Sequence, residues 1–494
     1  MTFRSLALAL AAACLLFAAP AQAGSGQKRA VKGGTVGSKR KAKRATARRV
    51  QASLRRESAM GQHRVKTRFG PHRGSKKVQL FLSVAPTARE RRELERAATK
   101  LGVRVETFGD IPRDSADVDA NGVIADAVHT YANRKLSGVI GTDDLGSLVA
   151  SVMNDRFKLP GASKESVLRS QHKYLSRESQ RLAVLDAHLP KFKLVALDAA
   201  EPPAGMSYPF FIKPVKAHLS IGARQVNNPK EFAEALAWAR ANLHKVTTPF
   251  EDIRMVHTNI GVSTNFMIAE QLIKGDQVTV EGYVHKGKAR ALGVVDSVMY
   301  PGTRSFKRFD YPSKHSTGVQ TKMNEIATRV AEELGLDNTM FNIEMSYDHE
   351  TGEIKIIEIN PRPSSQFAPL FEAVDGTNSY EIQLKLAAGE RPTFQHGRGE
   401  HKVATSFVMR TFQDQQVVIT PTQDQMNQIM LRNPDMRIES YAPKGGKLSD
   451  LSNDPESFRW AIVTLGGKSE THMQTRLKQT LDALPFELKP VGEK

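Results

Sequence analysis

The sequence has one cysteine, Cys14, one long apolar run, and a single acid, Glu57, before Glu90. Each scarcity excludes something. A single thiol can form neither an intrachain disulfide nor a multi-thiolate metal centre, and cysteine usage therefore says nothing about compartment. Beyond the N-terminal run no segment reaches the length of apolar sequence that a transmembrane helix needs. No repeat of solenoid period is present. Acid is nearly missing from Lys28 to Lys77, which hold 18 basic residues against the single Glu57. That stretch carries +17 of the net charge of +19 and Arg4 carries +1, which leaves +1 for everything from Val78 onward. A polyanion partner is thus an expectation for the arm and not for the body of the chain.

The N-terminal run has the parts of an export signal. Arg4 gives a positive start, Leu6 to Ala19 an apolar stretch too short to span a bilayer, and Ala21-Gln22-Ala23 a small-residue cleavage site. Residues 1–23 are accordingly expected to direct export to a periplasmic or secreted location, with a cytoplasmic product as the alternative if translation starts at Met60. Residues 24–75 are rich in Lys, Arg, Ala, Gly and Ser and poor in large apolar residues, so burial cannot offset their ordering entropy. They read as a basic disordered arm, either contacting a polyanion or serving as a solvated linker, and Phe69 is their one aromatic residue.

From Val78 the pattern becomes that of a globular chain of several domains. Val78 to Val84 reads as a strand, Thr87-Ala-Arg-Glu90 as a capping box opening a helix to about Leu101, and Val103 to Thr107 as a second strand. Leu136 to Ile140 and a helix from Asp144 to Asn154 continue the alternation, which predicts a small α/β domain over 76–165 ending near Leu159-Pro160-Gly161. Residues 166–396 form the next predicted domain, with a helix from about Ser166 and a long amphipathic helix from Thr317 to Leu334. Residues 397–494 are predicted to be a small α+β module, with strands at Val403 to Phe412 and Phe458 to Leu465 and a final helix facing inward through Met473, Leu477, Leu481 and Leu484.

The run Ile356-Ile-Glu-Ile-Asn-Pro-Arg362 carries the chemistry. Side chains alternate along a strand, so Glu358 and Asn360 share a face. Fourteen residues earlier Glu344 lies in Phe341-Asn-Ile-Glu-Met, and Asp348 to Gly352 supply a hairpin turn that brings Glu344 to Glu358. Two carboxylates and an amide oxygen are hard ligands suited to Mg²⁺. Lys213 ends the apolar strand Phe210-Phe-Ile-Lys ahead of Pro214, where its ammonium can meet a phosphate. Phe266 to Gly275 and Val278 to Val284 read as a hairpin whose connection could offer backbone groups to an adenine edge, with Glu270 or Asp276 reaching an amino group or ribose.

In the order Lys173, Lys213, Glu270, Glu281, Glu344, Glu358-x-Asn360-x-Arg362, the chain resembles the ATP-grasp superfamily from about Val78 to Leu484, and most closely its carboxylate–amine and amino-acid ligase branch, with a fold like that of biotin carboxylase. The resemblance implies an α+β fold in which two α+β subdomains clasp ATP, behind an α/β N-terminal domain and ahead of the C-terminal module. It implies that Lys173 and Lys213 contact phosphates, that Glu270, Gln271, Leu272 and Ile273 form the adenine hinge and that Glu281 joins the nucleotide site. It implies that Glu344, Glu358 and Asn360 hold magnesium, two ions replaceable by Mn²⁺, and that Arg362, with Lys213, serves catalysis by stabilising the transferred phosphoryl group. Tyr300 to Lys314, with Arg304, Lys307 and Arg308, would be a mobile cover, and Ser364, Ser365 and Gln366 substrate contacts. The implied activity is ADP-forming joining of a small carboxylate to an amine; the alternatives are a carboxylase like biotin carboxylase, and a non-catalytic nucleotide-binding scaffold. The segment after Lys213 has one glycine, Gly222, where many relatives have several, and no Ala-Met-Lys-Met biotinyl motif is present.

Overall fold

The computed structural model describes residues 78–109, 118–184, 186–217, 221–450 and 457–492. The expected export signal and basic arm lie outside the described residues. Among the described residues no helix is long and apolar enough to cross a membrane.

Three parallel strands open the described chain: β1 (Leu80–Val84), β2 (Arg104–Phe108) and β3 (Gly138–Gly141), in the order β2-β1-β3. Crossover helices connect them, α1 (Ala88–Leu101) and α2 (Ala120–Tyr131), as parallel pairing requires. The capping box is present: Glu90 N–H donates to Thr87, and Thr87 N–H donates to the Glu90 carboxylate at 2.7 Å. After β3 comes α3 (Asp144–Phe157), capped by Asp143. Gly141 allows this turn, since a Cβ there would lie 2.2 Å from the backbone of Gly146. Gly141→Ala is expected to lower stability by about 1–3 kcal/mol, because backbone cannot move aside as a side chain can. A urea midpoint unchanged from wild type would contradict that reading.

Next are α4 (Lys164–Gln171) and α5 (Lys173–Val184), not the single helix expected from Ser166. The break falls at His172, whose backbone is extended. Its imidazole is fully buried; Nε2 lies 3.1 Å from the Ser263 carbonyl, and Nδ1 accepts from Leu175 N–H at 3.4 Å. Those partners fit the neutral ring with its proton on Nε2. Lys173 therefore begins a helix, with its N–H tied to the Val215 carbonyl at 2.7 Å. Neither Gly nor Pro marks the break in the sequence. Burial lowers the His172 pKa from 6.5 to about 4. A basic group with a depressed folded value favours the native state when neutral, so its stabilisation is present above pH 6.5 and is lost as pH falls through about 4. His172→Gln should thus flatten the fall of the urea midpoint between pH 7 and pH 4; parallel profiles for variant and wild type would refute this.

A four-stranded antiparallel sheet follows, β4 (Phe192–Val195), β5 (Phe210–Pro214), β6 (Arg224–Val226) and β7 (Met267–Gln271), ordered β4-β7-β5-β6. Helices α6 (Pro229–Asn242) and α7 (His244–His257) lie between β6 and β7 in the chain. Phe210, Ile212, Phe232, Leu236, Met267 and Ala269 form the core of this lobe.

The larger lobe is an eight-stranded antiparallel sheet, entered through β8 (Asp276–His285), β9 (Lys288–Met299) and β10 (Phe306–Tyr311). Helix α8 (Thr317–Glu333) leads to β11 (Thr339–Tyr347) and β12 (Ile354–Asn360), then come α9 (Ala368–Asp375) and α10 (Ser379–Ala387). Strand β13 (Val403–Thr411) enters the same sheet, which ends in β15 (Arg437–Ser440) and β16 (Phe458–Gly467); β14 (Gln415–Ile419) pairs instead with β17 (Glu487–Pro490). Helices α11 (Gln423–Arg432) and α12 (Glu470–Asp482) complete this end. The order β12-β11-β8-β9-β10-β13-β16-β15 makes the C-terminal strands a continuation of the sheet. Met323, Ile326, Ala327 and Val330 form the buried stripe of α8, which packs on β9 and β8.

Residues 300–314 correct the expectation of a mobile cover. Phe306–Tyr311 is a strand held between β9 and β13, with Asp310 buried beside Thr405 and Arg308. The turn at 300–305 and residues 312–314 lie outside the strand, and from the turn the Arg304 guanidinium reaches to 5.4 Å from the Phe211 ring on β5.

Candidate active site

Register across β8, β11 and β12 assembles the polar centre. Glu344 stands opposite Glu358 on one side and Thr279 on the other; Asn342 stands opposite Asn360 and Glu281. Facing residues in an antiparallel pair project to the same side of the sheet, so all six share one face. The intervening Val280, Ile343 and Ile359 project to the opposite face, where they are buried. Period-two alternation thus separates chemistry from core on the same strands.

Helix α5 and strand β5 bring cations to this face. Lys173 Nζ lies 3.1 Å from Glu358 Oε2 and 3.2 Å from the Ala217 carbonyl. Lys213 Nζ is 2.7 Å from Glu270 Oε2, while Arg177 Nε holds Glu270 Oε1 at 2.7 Å. Arg177 also donates to the Ile357 carbonyl at 2.7 Å, joining α5 to β12. Burial opposes the charge on Glu270, but Arg177 and Lys213 more than offset this and hold its pKa at about 2. The same burial lowers the pKa of Lys213, against the pull of Glu270.

Glu270 therefore departs from its expected role. The residue is only 2% exposed and both carboxylate oxygens bind cations, so it orients Lys213 and does not present itself to an adenine or ribose. Gln271, Leu272 and Ile273 lie where β7 ends and the chain crosses towards β8; the two strands belong to different sheets and do not form the expected hairpin. Glu281 lies on the same face, opposite Asn342. It is fully buried, accepts from Ser364 N–H at 3.1 Å through Oε1, and its Oε2 has no hydrogen-bond partner. Burial raises its pKa well above the usual carboxylate range, with Ser364 and Arg362 pulling the other way.

A second ionic cluster forms around an acid from the N-terminal domain. Asp144, the first residue of α3, binds Lys216 Nζ at 2.6 Å and Arg362 Nε at 2.8 Å. Burial would raise Asp144, and the two cations instead hold it far below the ordinary value. Lys216 is also 4.3 Å from the Phe250 ring centroid. Arg362 is thereby aimed back over Asn360, whose Oδ1 it approaches at 3.5 Å while Asn360 Nδ2 donates to Asn342. Asp144, Lys173, Arg177, Gln180, Glu358 and Asn360 line one cleft.

The two facing glutamates divide in character. Burial and the nearby Glu358 raise Glu344; burial also works to raise Glu358, but Lys173 and Lys213 overcome it and hold Glu358 low. Such a pair suits a divalent cation, which removes the repulsion that otherwise protonates one partner. Gln277 Nε2 fixes Glu344 Oε2 at 2.9 Å. Glu344, Glu358 and the Asn360 Oδ1 are oxygen donors converging from adjacent strands, which fits the expected magnesium.

The structure brings together Lys173, Lys213, Glu344, Glu358, Asn360 and Arg362. Sequence reasoning missed Arg177, Asp144 and Gln277. Arg177 lies one helical turn from Lys173 and so on its face, a signal that was present. Asp144 follows the C-terminal end of a parallel strand, where α/β sheets place ligand-facing groups.

The family model described as ATP-grasp domain matches residues 206–369. These residues contain β5, the segment after β7, Glu344, Glu358, Asn360 and Arg362, so the chain carries an ATP-grasp domain, and its two lobes have the ATP-grasp fold. Among solved structures it is similar to an L-amino acid ligase from Bacillus licheniformis, with a TM-score of 0.63 at 15% identity, covering 84% of this chain and 99% of that one. Phosphoribosylglycinamide synthetase from Anaerococcus prevotii aligns with a TM-score of 0.58 at 14% identity, over 83% and 100% of the two chains. Biotin carboxylase from Campylobacter jejuni gives a TM-score of 0.58 at 15% identity, over 83% and 92%. No curated protein matches the sequence.

Proposed function

We propose that the chain is an ADP-forming ligase that activates a small carboxylate as an acyl phosphate and joins it to an amine. The observation that carries this reading is the convergence of Glu344, Glu358 and Asn360 with Lys173, Lys213 and Arg362 on one sheet face. ATP is the substrate of the first step. A carboxylate oxygen attacks the γ-phosphorus, the bond to the bridging oxygen breaks and ADP leaves. The amine nitrogen then attacks the acyl carbon, phosphate departs with the bonding pair, and the ammonium proton passes to phosphate or solvent.

Bound magnesium, held by Glu344, Glu358 and Asn360, would neutralise charge on the phosphate oxygens. Lys173 and Lys213 position those oxygens, kept in place by Glu358 and Glu270. Arg362, fixed by Asp144, supplies positive charge to the group in transfer, and Lys216 adds a further cation beside it. Ser364, Ser365 and Gln366 follow Arg362, and Gln366 is anchored to Ser406 at 3.0 Å, which makes this segment the candidate wall for the acyl donor. The likeness to an L-amino acid ligase supports an amino acid as a first choice of substrate.

The experiment is ADP release from MgATP by purified protein against pooled carboxylates with and without pooled amines. Release requiring both supports the proposal; release on bicarbonate alone would replace it with a carboxylase. We also propose that residues 1–23 direct export and that residues 24–75 contact a polyanion. An N-terminus at Gly24 in the exported fraction tests the first, and loss of polyanion binding on deleting 24–75 tests the second.

A further inference from the structure

About the turn that joins β11 to β12 lies a second set of ligating side chains, separate from the glutamate face. Asp276, His315 and His349 come from three places: the start of β8, the loop ahead of α8, and the hairpin turn. Each offers one ligand atom, and these atoms all lie within 4.8 Å of one another. Among the described residues this is the one such group of His, Cys, Asp and Glu. His349 Nε2 is already 2.9 Å from Asp276 Oδ2. The two imidazoles stack with centroids 5.4 Å apart, and Tyr347 packs edge-on against both.

A fourth group turns this cluster into a candidate site. Asp296 on β9 has its Oδ1 buried without any hydrogen-bond partner, 4.0 Å from His315 Nε2. Its other oxygen is fixed by the Lys314 N–H at 2.8 Å, so the carboxylate cannot easily turn away. A buried carboxylate oxygen with no donor is costly, and a cation shared with the neighbouring imidazole would relieve that cost.

We propose that Asp276, His315 and His349, with Asp296 beside them, bind a divalent transition-metal ion of the zinc type. Two imidazole nitrogens with carboxylate oxygens suit zinc and its neighbours and not magnesium, which takes oxygen donors alone. Metal–ligand bonds of about 2 Å place tetrahedral ligand atoms about 3.4 Å apart, so the widest separations must shorten by up to about 1.4 Å. Asp276 and His349 are exposed and free to make that movement by side-chain rotation. The ion would fasten the hairpin turn to the first residue of β8 and to the residue before the α8 cap. That hairpin carries Glu344 and Glu358, and Asp276 is followed by Gln277, which holds Glu344. The metal is therefore a brace behind the glutamate face, three strands tied at one end, and its binding does not depend on the ligase reading.

The test is a titration of untagged, metal-stripped full-length protein with Zn²⁺ by calorimetry, repeated with Co²⁺ to read its visible absorption. Wild type should bind one equivalent with an intense tetrahedral Co²⁺ spectrum, and zinc should raise its thermal midpoint. His349→Ala, an exposed change that should leave the fold intact by circular dichroism, should abolish both signals, and Asp296→Asn should weaken binding about tenfold. Glu358→Gln should leave them unchanged. Absence of saturable binding in wild type, or binding that survives His349→Ala with His315→Ala, would overturn the proposal, the latter by locating the ion on other histidines.

Discussion

Replacing Glu358 by glutamine is expected to lower the rate of ADP formation by about a thousandfold or more while the protein remains folded. The substitution keeps the shape of the side chain and removes one of the two charges that face each other across β11 and β12. It also removes the partner of Lys173, 3.1 Å away, which orders that ammonium towards the cleft. Losing one preorganised transition-state contact commonly costs a hundred- to a thousandfold, and here a metal charge and the placement of a lysine are lost together. The measurement is single-turnover ADP formation at saturating Mg²⁺. The folded state should survive the change, because repulsion between Glu344 and Glu358 is relieved. A rate within tenfold of wild type would remove Glu358 from the metal site.

The second large effect is on stability. Arg177 and Glu270 have side chains 2% and 3% exposed, and the arginine makes further bonds to Ile357 and Gln180. Arg177→Ala would leave the Glu270 carboxylate buried with Lys213 as its one cation and would free the Ile357 carbonyl. Breaking a buried pair by removing one partner costs about 3–5 kcal/mol, since the remaining charge loses its compensation. The urea midpoint should fall accordingly. Arg177→Lys should restore only part of the loss, because an ammonium cannot present the guanidinium's fixed fork of donors to three acceptors at once. A midpoint near wild type for Arg177→Ala would show that Lys213 alone satisfies Glu270.

The hairpin of β11 and β12 was legible because everything that defines it is local. Alternation sets the faces, Asp348 to Gly352 mark the turn, and pairing of adjacent strands puts Glu344 opposite Glu358. The same holds for the capping box at Thr87 and the strand ending in Lys213. What escaped depends on contacts far apart in sequence. Arg362 meets Asp144 across 218 residues, and no pattern near either one encodes the other. Glu270 looked like a nucleotide contact because its strand alone does not reveal Arg177 approaching from α5. In Phe306–Tyr311 the charges of Lys307, Arg308 and Asp310 hid a strand, since the pairing of Asp310 with Thr405 and Arg308 is what makes a buried acid tolerable there. The C-terminal strands were read individually but not as part of the larger sheet, because register between β10 and β13 is set by tertiary packing.

The acyl phosphate is the centre of the account, and oxygen transfer tests it most directly. A substrate carboxylate found in the screen is labelled with ¹⁸O and turned over with MgATP and its amine, and the released phosphate is analysed by mass spectrometry. Attack of the carboxylate on the γ-phosphorus requires one labelled oxygen in each phosphate released. Unlabelled phosphate, formed at a normal rate, would mean that water and not the carboxylate takes the phosphoryl group, and the proposed ligase chemistry would be wrong.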